Sequence, residues 1–165
     1  MNNPRNPNSH YETTGPEILS QHHGPLHTFV AGAGSGGTLS GIGKALLEAD
    51  PYTKIKAAVP KQKETIIAGV GQYHEGSPFP PVFDSSLVSD FVPIADEKAL
   101  EVMAQLAKQE GLLVGPSSGM AAAAAIKIAE ELSPWQSVVT LFADSGERYL
   151  NCDLFAKPYS KAGLY

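Results

Sequence analysis

Cysteine is almost absent from this chain, and neither charge sign dominates it. A single cysteine, Cys152, among 165 residues excludes an internal disulfide and a cysteine-rich metal site, and it reads as a small helix or loop residue rather than a nucleophile. Twelve basic against seventeen acidic side chains give a formal net charge of -5, so the basic footprint that nucleic-acid binding needs is missing. No apolar run approaches the ~20 residues that span a bilayer. The opening MNNPRNPNSHYETT has no apolar stretch of the signal-peptide kind. Those absences point to a cytoplasmic or organelle-matrix protein with no nucleic-acid or membrane partner. His10, His22, His23, His27 and His74 show no metal-ligand spacing, so no metal site is expected. What remains is a chain with 42% apolar residues, long enough for one ordinary domain that buries about 68–70% of its unfolded surface.

Along the chain, helix and strand signals alternate. NNPRNPNSHY is rich in Asn and Pro and reads as irregular. TTGPEILSQ reads as a helix start, with Thr13 or Thr14 as cap. Leu26 to Ala31 is a short apolar run of strand length. A glycine turn follows, then helical spacing from Thr38 to Ala49, stopped by Pro51. Ile55 to Val59 is a second buried strand. The stretch from Gln62 to Val88 reads as a long excursion with one helical turn at Glu64 to Ala68. Phe91 to Ile94 is a strand, Asp96 caps a helix to about Gln109, and Gly111 suits its C-terminal cap. GPSSG then opens an alanine-rich helix whose small side chains suit close packing. Trp135 reads as a packing anchor, and SVVTLFAD as a last strand before DSGERY. Apolar strands alternating with helices imply an α/β fold with a parallel sheet covered by helices on both faces. The turns at Gly32 to Thr38, Gly115 to Gly119 and Asp144 to Arg148 would then lie at strand ends and converge on one site.

The first of these turns poses a chemical choice. Gly32, Gly34 and Gly37 satisfy the dinucleotide pattern G-x-G-x-x-G, and a glycine turn at a helix N-terminus suits a phosphate. A dinucleotide site also needs a carboxylate about 20 residues on, after the next strand. Here that strand ends in Val59, Pro60, Lys61, while Asp50 precedes it. The acidic partner is missing, although Lys61 leaves an NADP-type site open, and glycines that merely permit a tight turn remain a further reading.

Taken in order, NPNSHYETTGPEI, VAGAGSGGTLSGIGKAL, GLLVGPSSGMAAAAAIKIAEEL and DSGERYL resemble the C-terminal half of the fold type II pyridoxal-phosphate enzymes of the cysteine synthase and cystathionine β-synthase family. The resemblance runs over essentially the whole chain, residues 1–165, as one α/β domain of a tryptophan-synthase-β-like fold. It implies pyridoxal phosphate as cofactor. The family's G-T-G-G-T phosphate turn carries over to Gly34, Ser35, Gly36, Gly37 and Thr38, with Ser35 a conservative departure. The serine that meets the pyridine nitrogen carries over to Ser117, a neutral hydroxyl that does not enforce a protonated ring. Asp144 and Ser145 are second candidates near that ring, with Ala143 in place of the usual proline. Gly69, Val70 and Gly71 resemble the loop that closes on the substrate amino acid. VPKQ departs from the family's V-E-P.

The resemblance also implies a gap. The family's covalent lysine and its S-x-N-[TS]-G substrate turn belong to the N-terminal half, and no lysine here, Lys44 in the helix included, sits in a matching context. The rest, from Lys54 to Lys161, read as solvated charges, so no catalytic residue is assigned. The implied activity is cysteine-synthase-type β-replacement on a serine derivative, in a truncated form inactive alone, with weak cofactor binding and with homo-oligomerisation or pairing with a full-length relative. The alternatives are the cystathionine β-synthase branch, a non-catalytic anion-binding or regulatory fragment, and an NADP-binding domain.

Overall fold

Four strands, β1 (Thr28–Gly32), β2 (Lys54–Pro60), β3 (Asp90–Ile94) and β4 (Val138–Thr140), form one sheet in the order β3-β2-β1-β4. The computed structural model describes residues 3–150; Cys152, Lys157 and Lys161 lie outside them. All three strand pairings are parallel, with Phe29 opposite Ile55 and Val139, and Ala57 opposite Phe91. Side chains alternate across the sheet as the pleat requires. Phe29, Ala31, Ile55, Ala57 and Val59 pack with Leu39, Ile42 and Leu46 of helix α3 (Gly37–Ala49). Val30, Ala58 and Val92 point the other way, into a second cluster with Leu100 and Met103 of α4 (Asp96–Gln105) and Met120 and Ala124 of α5 (Pro116–Ala129). The expected parallel sheet with helices on both faces is therefore the fold.

The N-terminal segment differs most from expectation. Residues read as irregular form a continuous helical rod: α1 (Arg5–Ser9), a wider π turn (His10–Thr14) and α2 (Gly15–Gln21). Thr14 is helical and caps nothing. Pro4 and Pro7 sit at the rod's first turn, where a missing N–H costs least. What holds the rod is tertiary: a stripe of small residues on α3, Gly37, Gly41 and Ala45, receives it. A β-carbon on Gly41 would lie 2.1 Å from the Pro7 carbonyl oxygen, and one on Gly15 would lie 2.5 Å from the Ala45 side chain.

Other corrections are local. Residues 64–68 make no helical turn. Asp96 is the first residue of α4 rather than its cap, which is Ala95. The helix widens into a π turn (Leu106–Glu110) and ends at Gly111 with φ +69°. The last strand is only three residues, because Leu141 to Asp144 leave the sheet and Leu141 and Ala143 line the site. Trp135 is 78% exposed and anchors no core. Lys56 is not a free solvated charge: its ammonium meets Asp90 at 3.3 Å. The alanine run does pack closely, since Ala121 to Ala125 are all buried.

Where α5 crosses α4, a β-carbon on Gly119 would come within 2.3 Å of the Ala99 carbonyl oxygen. Gly119→Ala should therefore force the two helices apart and cost about 1–3 kcal/mol, read as a lowered urea midpoint with unchanged slope.

Candidate functional site

At the carboxyl end of β1 the chain turns into α3. The Ala33 N–H donates to the Ala58 carbonyl at 3.1 Å, which ties the turn to β2. Gly36 has φ +83°, and a side chain there would strike Phe83. The first bond of α3 runs from the Ser40 N–H to the Gly36 carbonyl at 2.9 Å, so the N–H groups of Gly37, Thr38 and Leu39 have no partner within the helix. They and the helix dipole favour a negative group. Beside them opens a cleft of about 150 Å³, lined by Gly34, Ser35, Gly36 and Thr38 from the turn, Gly69 and Val70 from the excursion, Ser117 from α5, and Ala31, Gly32, Ala121, Leu141 and Ala143 as walls. No residue lining it carries a charge.

Four residues singled out from sequence do not line this cleft. The space beside the Gly37 α-carbon is filled by the Asn6 side chain, which would lie 2.4 Å from a β-carbon there, and that beside Gly71 is filled by the Tyr73 ring. The carboxylate of Asp144 lies behind Ser117, accepting from its hydroxyl at 3.3 Å and from Ser118 at 3.0 Å. Ser145 bridges to Val114 and caps a short 3-10 turn (Gly146–Tyr149).

The helical rod supports the turn from behind. Asn6 donates its amide to Ser35 Oγ at 3.1 Å. The His10 ring spans two hydroxyls, Thr38 Oγ1 at 3.2 Å and Thr14 Oγ1 at 3.0 Å. Partial burial of the imidazole lowers its pKa from 6.5, so the neutral ring, with one donor and one acceptor nitrogen, suits this place. Asn6 and His10 escaped the sequence reading. Their signal was the spacing Asn6, His10, Thr14, one face of a helix, visible only once the segment is read as helical.

The excursion after β2 is pinned to the same turn. Tyr73 donates its hydroxyl to the Gly34 carbonyl at 2.8 Å, and the Gly71 N–H donates to the Ala33 carbonyl at 2.7 Å. The Asp84 N–H donates to Ser40 Oγ at 2.8 Å. Tyr73, Phe79, Phe83 and Phe91 stack into one aromatic cluster, with the Phe79 and Phe83 centroids 4.9 Å apart. Further back, the buried Asp96 carboxylate accepts from the Ile66 N–H at 2.7 Å and from Thr65 Oγ1 at 2.8 Å, and so fastens the root of the segment that carries Gly69.

Phosphorylated ring compounds suit this arrangement. One end of the cleft offers backbone donors and the hydroxyls of Ser35 and Thr38 without a competing carboxylate. The other offers apolar walls and one hydroxyl, Ser117. Gly34 confirms how tightly the backbone is drawn in, since a β-carbon there would lie 2.2 Å from the Gly69 carbonyl oxygen. The geometry thus defines an α/β protein with an uncharged, hydroxyl-bearing cleft at the carboxyl ends of parallel strands. Residues 1–144 match the family model described as pyridoxal-phosphate dependent enzyme, and the chain belongs to that family. It is 40% identical over 164 residues to a probable cysteine synthase of Bacillus subtilis, covering 94% of this chain and 53% of that protein. It is 39% identical to a cysteine synthase of Staphylococcus aureus over 160 residues, covering 93% and 52%. Among solved structures, O-ureido-L-serine synthase superposes with a TM-score of 0.85 at 34% identity, covering 97% of this chain and 53% of that one. An O-acetylserine dependent cystathionine β-synthase from Helicobacter pylori gives 0.82 at 37%, covering 90% and 50%. The chain spans about half the length of the curated relatives it matches. No helix among the described residues is long and apolar enough to cross a membrane.

Two outcomes follow from the supports of the cleft. Because burial disfavours the His10 imidazolium, the folded state holds its proton less well than the unfolded chain does. Its stability contribution is intact above pH 6.5 and is lost as pH falls from there toward the lowered folded value. His10→Gln should flatten the wild-type decline in denaturation midpoint between about pH 7 and 5. Asp96→Ala should raise amide exchange at Ile66 and Ile67 by about tenfold or more, the loss of a hydrogen bond to a charged group, as measured by hydrogen-exchange mass spectrometry.

Proposed function

We propose that this chain carries the phosphate- and ring-holding portion of a pyridoxal-phosphate site for β-replacement on an O-substituted serine, in cysteine-synthase-type amino-acid biosynthesis. The observation that carries it is the uncharged, donor-lined cleft where the Gly34–Thr38 turn and Ser117 meet. On this reading the N–H groups at the start of α3, with Ser35 and Thr38, hold the phosphate, and Ser117 meets the ring nitrogen. Bound there, the cofactor supplies an electron sink for removal of the α-proton and departure of the β-substituent. The apolar walls at Val70, Ala121 and Leu141 flank the ring and exclude water, while Gly69 and Val70 border the space for the amino acid.

The names of the relatives support the substrate class, since an O-ureido-L-serine synthase and an O-acetylserine dependent cystathionine β-synthase share this fold. No lysine lines the cleft among the described residues. The covalent lysine of the completed site is accordingly assigned to other residues than these, in a homologous partner or an adjoining segment of polypeptide.

Titration of the purified chain with pyridoxal phosphate should show reversible binding that dialysis removes, and Gly34→Ala should weaken it by about tenfold, or 1.4 kcal/mol. Coexpression with the N-terminal half of the Bacillus relative should restore sulfide-dependent cysteine formation. Saturable NADPH binding with no response to pyridoxal phosphate would overturn the reading.

A further inference from the structure

The loop that carries Gly69 meets the glycine turn backbone to backbone. A β-carbon on Gly34 would lie 2.2 Å from the Gly69 carbonyl oxygen, and one on Gly32 would lie 3.3 Å from Val70 Cγ1. Two hydrogen bonds cross this contact in the same direction. The Gly71 N–H donates to the Ala33 carbonyl at 2.7 Å, and the Tyr73 hydroxyl donates to the Gly34 carbonyl at 2.8 Å. A carbonyl oxygen only accepts, so both directions are fixed. The two accepting carbonyls share their peptide units with the N–H groups of Gly34 and Ser35. Neither N–H has an intramolecular acceptor among the described residues, and both residues line the cleft.

We propose that Tyr73 is a positioning residue that couples the glycine turn to the Gly69–Gly71 loop, so that a phosphate on the turn tightens the loop bordering the amino-acid space. This rests on the reading above, in which the turn holds the cofactor's phosphate. Hydrogen bonds in series polarise one another. A donor on the Gly34 carbonyl draws electron density from the Ser35 N–H and makes it a better donor, and an anion on that N–H makes the carbonyl a better acceptor. The coupling is reciprocal by thermodynamic necessity. The Tyr73 ring is held independently, against Phe79 at 5.4 Å and Phe83 at 5.6 Å between centroids, so its hydroxyl is aimed before a ligand arrives. An amino acid then meets a fully ordered loop only in a site that already carries the phosphate.

Titration of the intact, ¹⁵N-labelled chain with pyridoxal phosphate tests this, with the ³¹P resonance reporting the phosphate and amide hydrogen exchange reporting the loop. In the wild type, saturation should slow exchange at residues 71–73 by about threefold or more. Tyr73→Phe keeps the ring in its aromatic cluster and removes only the hydroxyl. It should bind the cofactor about threefold more weakly, the scale of one lost cooperative hydrogen bond, and lose most of the ligand-induced slowing. In the ligand-free variant the Ser35 amide ¹⁵N resonance should move upfield, the sign of a bond lost at the Gly34 carbonyl. A Tyr73→Phe chain with wild-type affinity, or with the full ligand-induced slowing, overturns the proposal even if its urea midpoint falls, and leaves the phosphate assignment intact. Should that variant not fold, the wild type alone decides, because unchanged exchange at residues 71–73 on saturation overturns the coupling. Absence of any ³¹P shift with the wild type overturns the phosphate assignment, and this inference with it.

Discussion

The close approach of the N-terminal helical rod to α3 is the constraint on which the rest of the structure depends. Gly37, Gly41 and Ala45 present no side chain larger than a methyl group, so the Pro7 carbonyl and the Asn6 and His10 side chains reach the α3 backbone. At that distance van der Waals contact is dense, and any added carbon must displace backbone. The contact fixes the first turn of α3, and with it the donors that face the cleft. It also explains the third glycine of the dinucleotide-like pattern, whose missing side chain makes room for Asn6 behind the turn rather than for a ligand in front of it.

The excursion from Lys61 to Ser89 solves a related problem. It has almost no regular structure, yet its root, middle and end are each tied down, by Asp96, by the Ala33 and Gly34 carbonyls, and by Ser40. Aromatic packing among Tyr73, Phe79 and Phe83 supplies the apolar burial that a helix or strand would otherwise provide. A segment anchored at its ends and at two carbonyls holds Gly69 over the glycine turn without regular structure of its own.

Much of the fold was legible because local and long-range signals agree in it. Strands β1 and β2 are short apolar runs bounded by glycine or proline, and α3 and α5 carry helical spacing and start after glycine turns, so propensity and burial point the same way. The N-terminal rod was illegible because its Asn, Pro and Thr residues favour turns when read alone, and only the small stripe on α3, about thirty residues later in sequence, makes helix worthwhile. In the cleft, Gly34, Ser35, Gly36, Thr38 and Ser117 were legible as turn chemistry at strand ends. Asn6, His10, Tyr73 and Asp96 were not, since each acts through a partner that the linear sequence keeps far away.

The pairing of β1 with β4 sets the order in which the site can assemble. Thr140 Oγ1 donates to the Val30 carbonyl across 110 positions of sequence, and Leu141 and Ala143, just beyond, close the cleft wall. Loop closure over such a span is slow and its contacts come late. During synthesis the glycine turn, the rod and the β1–β2 pair can therefore all form on a chain whose cleft still lacks one side. An intact pocket therefore reports that β1 and β4, far apart in sequence, have met.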